Sequence, residues 1–195
     1  MIAAWYDRQG PPAEVLQLGE LPAAEPGPGE VRVRLTLSGA NPGDVKKRQS
    51  WLGSPMAFAR IVPHGDGAGV IEAAGAGADP ARVGRRVWVY GAQSYRPFGT
   101  AAQTTVVPEE LAVDLPDPVS DEMGACLGIP GITAHRAIFG DDFPAKAKDA
   151  AARDLTAAAA QSVPVAGTFP LARIAAAHEL IESGQAAGRV LVSLP

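Results

Sequence analysis

The chain has 195 residues, a net charge of −4, and 47% hydrophobic and 19% charged residues. At that length a real core is expected, and those proportions exclude a disordered or fibrous protein. No basic run is longer than Lys46-Lys47-Arg48, and no apolar run approaches the ~18 residues of a membrane span, so neither a nucleic-acid surface nor a bilayer is expected as partner.

In chain order, 2–6 and 14–21 read as a first pair of strands. EPGPGE (25–30) is a turn, because its prolines and glycines sustain neither a helix nor a ladder. The strand 30–40 is the clearest element: Val31, Val33, Leu35 and Leu37 alternate with Arg32, Arg34, Thr36 and Ser38. That period of two predicts a packed face and a wet one, with Ser38 on the wet face. Asn41 suits an N-cap, Pro42 the first helical position, and Asp44 the first turn of a short helix. PHGDGAGVIEAAGAGAD (63–79) predicts a turn and a small-residue strand. Further strands are expected at 84–91, 98–108 and 111–116. About seven short strands over the first 116 residues fit a barrel or sandwich.

From Ser120 the pattern becomes helical. Ser120 caps a first segment, and Pro130 starts a second. Residues 144–161 are alanine-rich and helical by propensity. A short strand (VPVAG), an amphipathic helix over 170–184 and a last strand over 188–194 complete the chain. The last strand is expected to pair with the N-terminal half, since a lone strand has no stability of its own. GDDFP (140–144) is an abrupt join between a helix and the alanine-rich run.

Motif by motif, the chain is sparing. Gly67 and Gly69 need a glycine at Glu72, and Gly75 and Gly77 need one at Pro80, so no window carries the GxGxxG dinucleotide fingerprint or a P-loop. The lone cysteine, Cys126, excludes an intrachain disulfide and a multi-cysteine metal centre. His64, Asp66, Cys126 and His135 are conceivable zinc ligands, but nothing in their spacing demands a site. Cys126 lies in an apolar run and reads as a buried hydrophobe rather than a thiolate. His178 reads as a solvated or packing residue of its helix. MIAAWYDRQG lacks a signal pattern, so a cytoplasmic location is expected.

NPGDVKKR, PHGDGAGVI and GACLGIPGITAHRA carry a resemblance. With VGRRVWVYGAQ, FGTAAQTTVVPEELAVDLPD and the tail from Val163, in the same order, the chain resembles the quinone oxidoreductase branch of the medium-chain dehydrogenase/reductase superfamily. The resemblance implies a β-rich α+β fold: a GroES-like, partly open β-barrel with three or four helices. The family inserts a Rossmann domain after the helix matching GITAHRAIF. Such a domain takes several βαβ units of roughly 30 residues each, and here Gly140 runs into Asp141. The expectation is therefore one GroES-like domain over 1–195, made of 1–140 and 144–195 joined at a seam near 140–144, with no Rossmann domain.

The resemblance also implies site residues. Zinc-dependent relatives carry a cysteine after the strand matching 30–40 and a His-Glu pair in the later turn. Here the positions hold Gly39-Ala40-Asn41 and Gly65-Asp66, so a zinc-free site is expected. Asn41 and Thr133 match positions near the nicotinamide. Lys47, Trp51, His64, Gln93, Tyr95 and Phe98 border the pocket. Asn41, His64, Tyr95 and Lys47 are the catalytic candidates; Trp51, Gln93, Phe98 and Thr133 are the substrate-binding ones. Each has a plainer role open to it: Asn41 as a cap, Trp51 as packing.

Without the Rossmann half, contacts to a nicotinamide of about nine heavy atoms supply roughly 3 kcal/mol, weaker than millimolar. No cofactor is therefore expected, although the ancestral one is NADPH. The remaining expectation is a cleft for a quinone or α,β-unsaturated carbonyl compound, with non-redox proton chemistry as its enzymatic form. An inactive reductase fragment, or an oxidoreductase with its cofactor domain supplied in trans, stands as the alternative. Removing a domain bares a face, and Leu127, Ile129, Ile132, Ile138 and Phe139 are expected to be partly exposed, favouring a homodimer or a changed helix packing that covers the patch.

Overall fold

The computed structural model describes residues 1–139, 151–157 and 163–195. The GDDFP join lies outside the described residues. Seven strands precede residue 116: β1 (Ile2–Trp5), β2 (Gln17–Glu20), β3 (Glu30–Ala40), β4 (Asp66–Ala74), β5 (Arg86–Val89), β6 (Thr104–Pro108) and β7 (Ala112–Asp114). Helices α1 (Pro12–Val15) and α2 (Pro42–Arg48) lie among them. After them come α3 (Asp121–Phe139), a helical segment α4 (151–157), β8 (Val165–Pro170), α5 (Ile174–Glu182) and β9 (Arg189–Ser193).

Strands β1 and β2 form an antiparallel pair. The main sheet runs β7-β5-β4-β3-β9-β8, with β6 also on β3. The sheet is not a closed barrel, in keeping with the partly open expectation. Its core is the inner face of the strands: Val31, Val33, Leu35, Ile71, Val87, Val89 and Val107 are all buried. The strand at 98–108 is shorter than the apolar pattern suggests, and residues 12–15 form a helical turn because Pro12 sits at its first position.

The alternation in β3 holds only as far as Leu35. Leu35 faces Gly69 and Leu37 faces Ala68, so Thr36 has no partner: a bulge. One extra residue reverses which side chains point inward. Ser38, on the wet face by simple alternation, is instead fully buried, while Leu37 is half-buried.

The C-terminal segment is built into the N-terminal half. β9 pairs antiparallel with β3, from Leu37↔Ser193 to Ala40↔Val190, as the lone-strand argument requires. Leu171, Ile174, Ala177, Val190 and Val192 share one core cluster with Ala3, Ala4, Val62, Ala101 and Ala102. β8 continues beyond VPVAG to Pro170 and runs parallel to β9.

Helix α3 bends at Gly128 (φ −47°, ψ −123°), two residues before Pro130, so the two helical segments read from the sequence form one bent helix. An ideal Cβ on Gly128 would sit 2.2 Å from Asp66 Oδ1, a contact only glycine permits. Of the expected bare face, Leu127 is buried, whereas Ile138 and Phe139 are 74% and 62% exposed. Trp88 donates from Nε1 to Thr156 Oγ1 at 3.1 Å, which seats α4 on the outer side of β5. Among the described residues no helix is long and apolar enough to cross a membrane.

Candidate functional site

The end of β3, the start of β4, the bend of α3 and the start of β9 converge on Asn41. Asn41 Nδ2 donates to Asp66 Oδ2 at 2.8 Å, and Arg189 Nη1 donates to Asn41 Oδ1 at 2.8 Å. The Ile129 N–H, freed by the bend, donates to Asp66 Oδ1 at 2.9 Å. Asn41 also opens α2: its backbone N–H donates to Asp44 Oδ2 at 2.8 Å, leaving its side chain for Asp66 and Arg189. Asn41, Asp44 and Asp66 are buried.

Burial decides the charge here. It pushes Asp66 up to about 7, against the hydrogen bonds from Asn41 and Ile129 and the Arg189 charge. It pushes Asp44 up to about 6. The Arg189–Asp66 ion pair does not reverse this, because its Nη2–Oδ2 separation of 3.6 Å is beyond a direct hydrogen bond. Burial pushes the Cys126 thiol up as well, which suits a packing residue better than a nucleophile.

Two clefts flank α2 and share Lys47. The first, about 480 Å³, is lined by Asn41, Asp44, Lys47, Ile129, Pro130 and Thr133 among others. The second, about 370 Å³, is lined by Tyr6, Lys47, Met56, Phe58, Ile61, Gln93 and Tyr95 among others. Lys47 Nζ donates to Gln93 Oε1 at 2.6 Å, so the ammonium is held at the boundary of both.

The structure thus brings Asn41, Lys47 and Thr133 to one cleft, and Gln93 and Tyr95 to the adjoining one. Thr133 Oγ1 is already committed to the Ile129 carbonyl at 2.7 Å. Tyr95 is 98% exposed at the rim, with φ +59°. Trp51 stands outside both linings, half-exposed, with Lys46 Nζ 4.3 Å above its ring. Phe98 lies elsewhere, on a small pocket with Met1 and Arg96. His64 lines neither cleft: it is fully buried, bonded to Ser38 and His178. His178 is likewise fully buried rather than solvated. Sequence reasoning missed Arg189, which the strand pattern of 188–194 gave no reason to single out.

Among the described residues, no three His, Cys, Asp or Glu side chains converge as a metal site would need. The strand pattern of the described residues also differs from that of a Rossmann site. A Rossmann site needs parallel strands and a glycine-rich strand-to-helix turn. Here the parallel pair is β8–β9, and β8 leads to α5 through Leu171–Arg173, which has no glycine.

The fold and this site define a GroES-like domain. Residues 27–117 match the alcohol dehydrogenase GroES-like domain. Beyond that match, the chain is similar to quinone oxidoreductases of the medium-chain dehydrogenase/reductase superfamily. It is 36% identical over 125 residues to a quinone oxidoreductase of Pseudomonas aeruginosa, covering 63% of this chain and 36% of that protein. A crystal structure of a quinone oxidoreductase from Pseudomonas syringae is 31% identical over 71% of this chain and 40% of its own, with TM-score 0.61. The human synaptic vesicle membrane protein VAT-1 homolog-like protein shares the fold at 14% identity and TM-score 0.87, over 99% of this chain and 98% of that one. The chain spans well under half the length of the curated relatives it matches, 36% to 41% for the first four.

Proposed function

We propose that this chain carries a substrate-binding domain that takes a quinone or an α,β-unsaturated carbonyl compound beside Lys47, without NADPH. The observation that carries the reading is the Lys47 ammonium, fixed by Gln93 at the border of two mainly apolar clefts. A flat ring fits against Ile129 and Pro130, and a carbonyl oxygen takes a hydrogen bond from Lys47. A polar donor in an apolar cleft is what orients such a ligand.

Proton chemistry is within reach of the same cleft. Lys47 polarises an enone carbonyl, which acidifies the carbon next to the alkene, and Asp44 lines the cleft as a carboxyl raised to about 6. The reading is therefore an isomerase- or cyclase-type activity with no electron transfer. Ile138 and Phe139, exposed at the end of α3, support a homodimer.

Fluorescence titration with NADPH and, separately, with an enone and a quinone tests this. Carbonyl binding that persists without NADPH is expected. Micromolar NADPH binding, or no carbonyl binding at all, overturns it; the first outcome favours a cofactor domain in trans and the second an inert fragment.

A further inference from the structure

A second polar network lies deeper, on the far side of Asp66. Arg48 Nε donates to His178 Nδ1 at 3.3 Å, and the His178 and His64 Nε2 atoms are 3.0 Å apart. His64 Nδ1 meets Ser38 Oγ at 2.7 Å, Ser38 Oγ meets Thr100 Oγ1 at 2.7 Å, and Thr100 Oγ1 donates to the Asp66 carbonyl at 2.5 Å. All five side chains are fully buried.

The two ends fix every proton between them. A guanidinium only donates and a carbonyl only accepts. His178 Nδ1 therefore accepts, and its proton sits on Nε2. That proton goes to His64 Nε2, so the His64 proton sits on Nδ1 and goes to Ser38. Ser38 gives its own to Thr100. There are five hydrogen bonds and five protons to fill them, with both rings neutral and in opposite tautomers. One more proton on either ring sets two donors face to face.

We propose that this relay is an acid-sensitive latch: it admits one proton arrangement, and protonating either ring releases α5 from the turn that carries Asp66. The relay crosses between the two parts of the chain, since His178 lies on α5 and its four partners on residues 38–100. At its far end it holds the backbone of the residue whose carboxyl binds Asn41 and Ile129. His64 occupies a left-handed backbone conformation (φ +75°), so the turn needs outside support. Among the described residues, the Arg189 charge acts on His64 and the Arg48 charge on His178; Glu182 is paired to Arg48, Tyr6 lies near Arg48 and Asp44, and Asp66 joins the relay through its carbonyl. Burial and these cations push both rings down, His64 to about 3. The inference needs no ligand and stands apart from the proposed carbonyl binding.

Two-bond ¹H–¹⁵N spectra of the full chain read the tautomers directly. At pH 7 His178 is expected as Nε2–H and His64 as Nδ1–H; the same tautomer on both, or a charged ring, overturns the relay. In Ser38→Ala and Thr100→Val, the Ile129 amide is expected to exchange about tenfold faster, as loss of one buried hydrogen bond implies. No change there in either variant overturns the coupling to Asp66. On acidification, α5 amides are expected to lose protection at the pH where the rings titrate. Protection that survives ring titration overturns the latch.

Discussion

Asn41 and Asp66 face each other at 2.8 Å across the ends of β3 and β4, and Asn41 is the neutral spacer between that carboxyl and Arg189. An amide suits the place because it donates from one atom and accepts at another. Removing it leaves the buried Asp66 and the part-buried Arg189 each short of a bond. Asn41→Ala is expected to lower unfolding stability by about 2 kcal/mol at unchanged denaturant slope. A loss under about 0.5 kcal/mol, the range of an ordinary surface change, would show that Asn41 holds nothing together.

Gly128→Ala tests the bend of α3. The new Cβ cannot share space with the Asp66 carboxyl, so Asp66 must turn away or α3 must shift. Either movement breaks the bond from the Ile129 N–H. A destabilisation of about 3 kcal/mol is expected, with faster exchange at the Ile129 amide. An alanine variant as stable as the parent, with that amide still protected, would contradict the close approach.

The pH dependence of stability follows from two opposed pairs. The ordinary histidine value is 6.5; His64 lies near 3 and His178 well below 6.5. Below 6.5 the unfolded chain binds protons that the native chain refuses, so stability falls as pH falls. The ordinary Asp value is 3.8; Asp44 lies near 6 and Asp66 near 7. Above 3.8 the native chain keeps protons that the unfolded chain releases, so stability falls as pH rises. From about pH 4 to 6 the two trends cancel, and a flat profile in urea melts is expected. Asp66→Asn removes one carboxyl, and stability is then expected to rise with pH by about 1.4 kcal/mol per unit. His178→Phe is expected to give the opposite slope. Slopes of the same sign in both variants would refute the assignment.

Ligand binding separates the clefts from the rest of the surface. Lys47→Met is expected to weaken a carbonyl ligand about tenfold, the worth of one charge-assisted hydrogen bond. Phe98→Ala is expected to leave it unchanged, because Phe98 lines a different pocket. Titration of both variants with one enone checks the pair; equal losses would place the ligand elsewhere.

Local pattern carried much of the architecture. The Pro42 and Asp44 signals mark α2, Pro130 marks the second half of α3, and the apolar alternation of 31–35 marks the inner face of β3. The resemblance pointed to Asn41, Lys47 and Gln93, which the fold gathers on and beside α2. It pointed equally to His64 and Phe98, which the fold sends inward and to another pocket. Composition could not separate these cases, because a His in a glycine-rich turn looks the same whether its ring meets a ligand or another ring.

By itself, then, the sequence determined most of the strands and helices, though not the turn at 12–15 or the bounds of β6, since those elements depend on period, caps and turn residues within a few positions. What the tertiary structure decided was how polar groups distant in sequence meet: Asn41 with Asp66 and Arg189, and Ser38 with His64. The unpaired Thr36 shows the reason most plainly. A bulge exists only between two strands, so no period within one of them reveals that Ser38 turns inward.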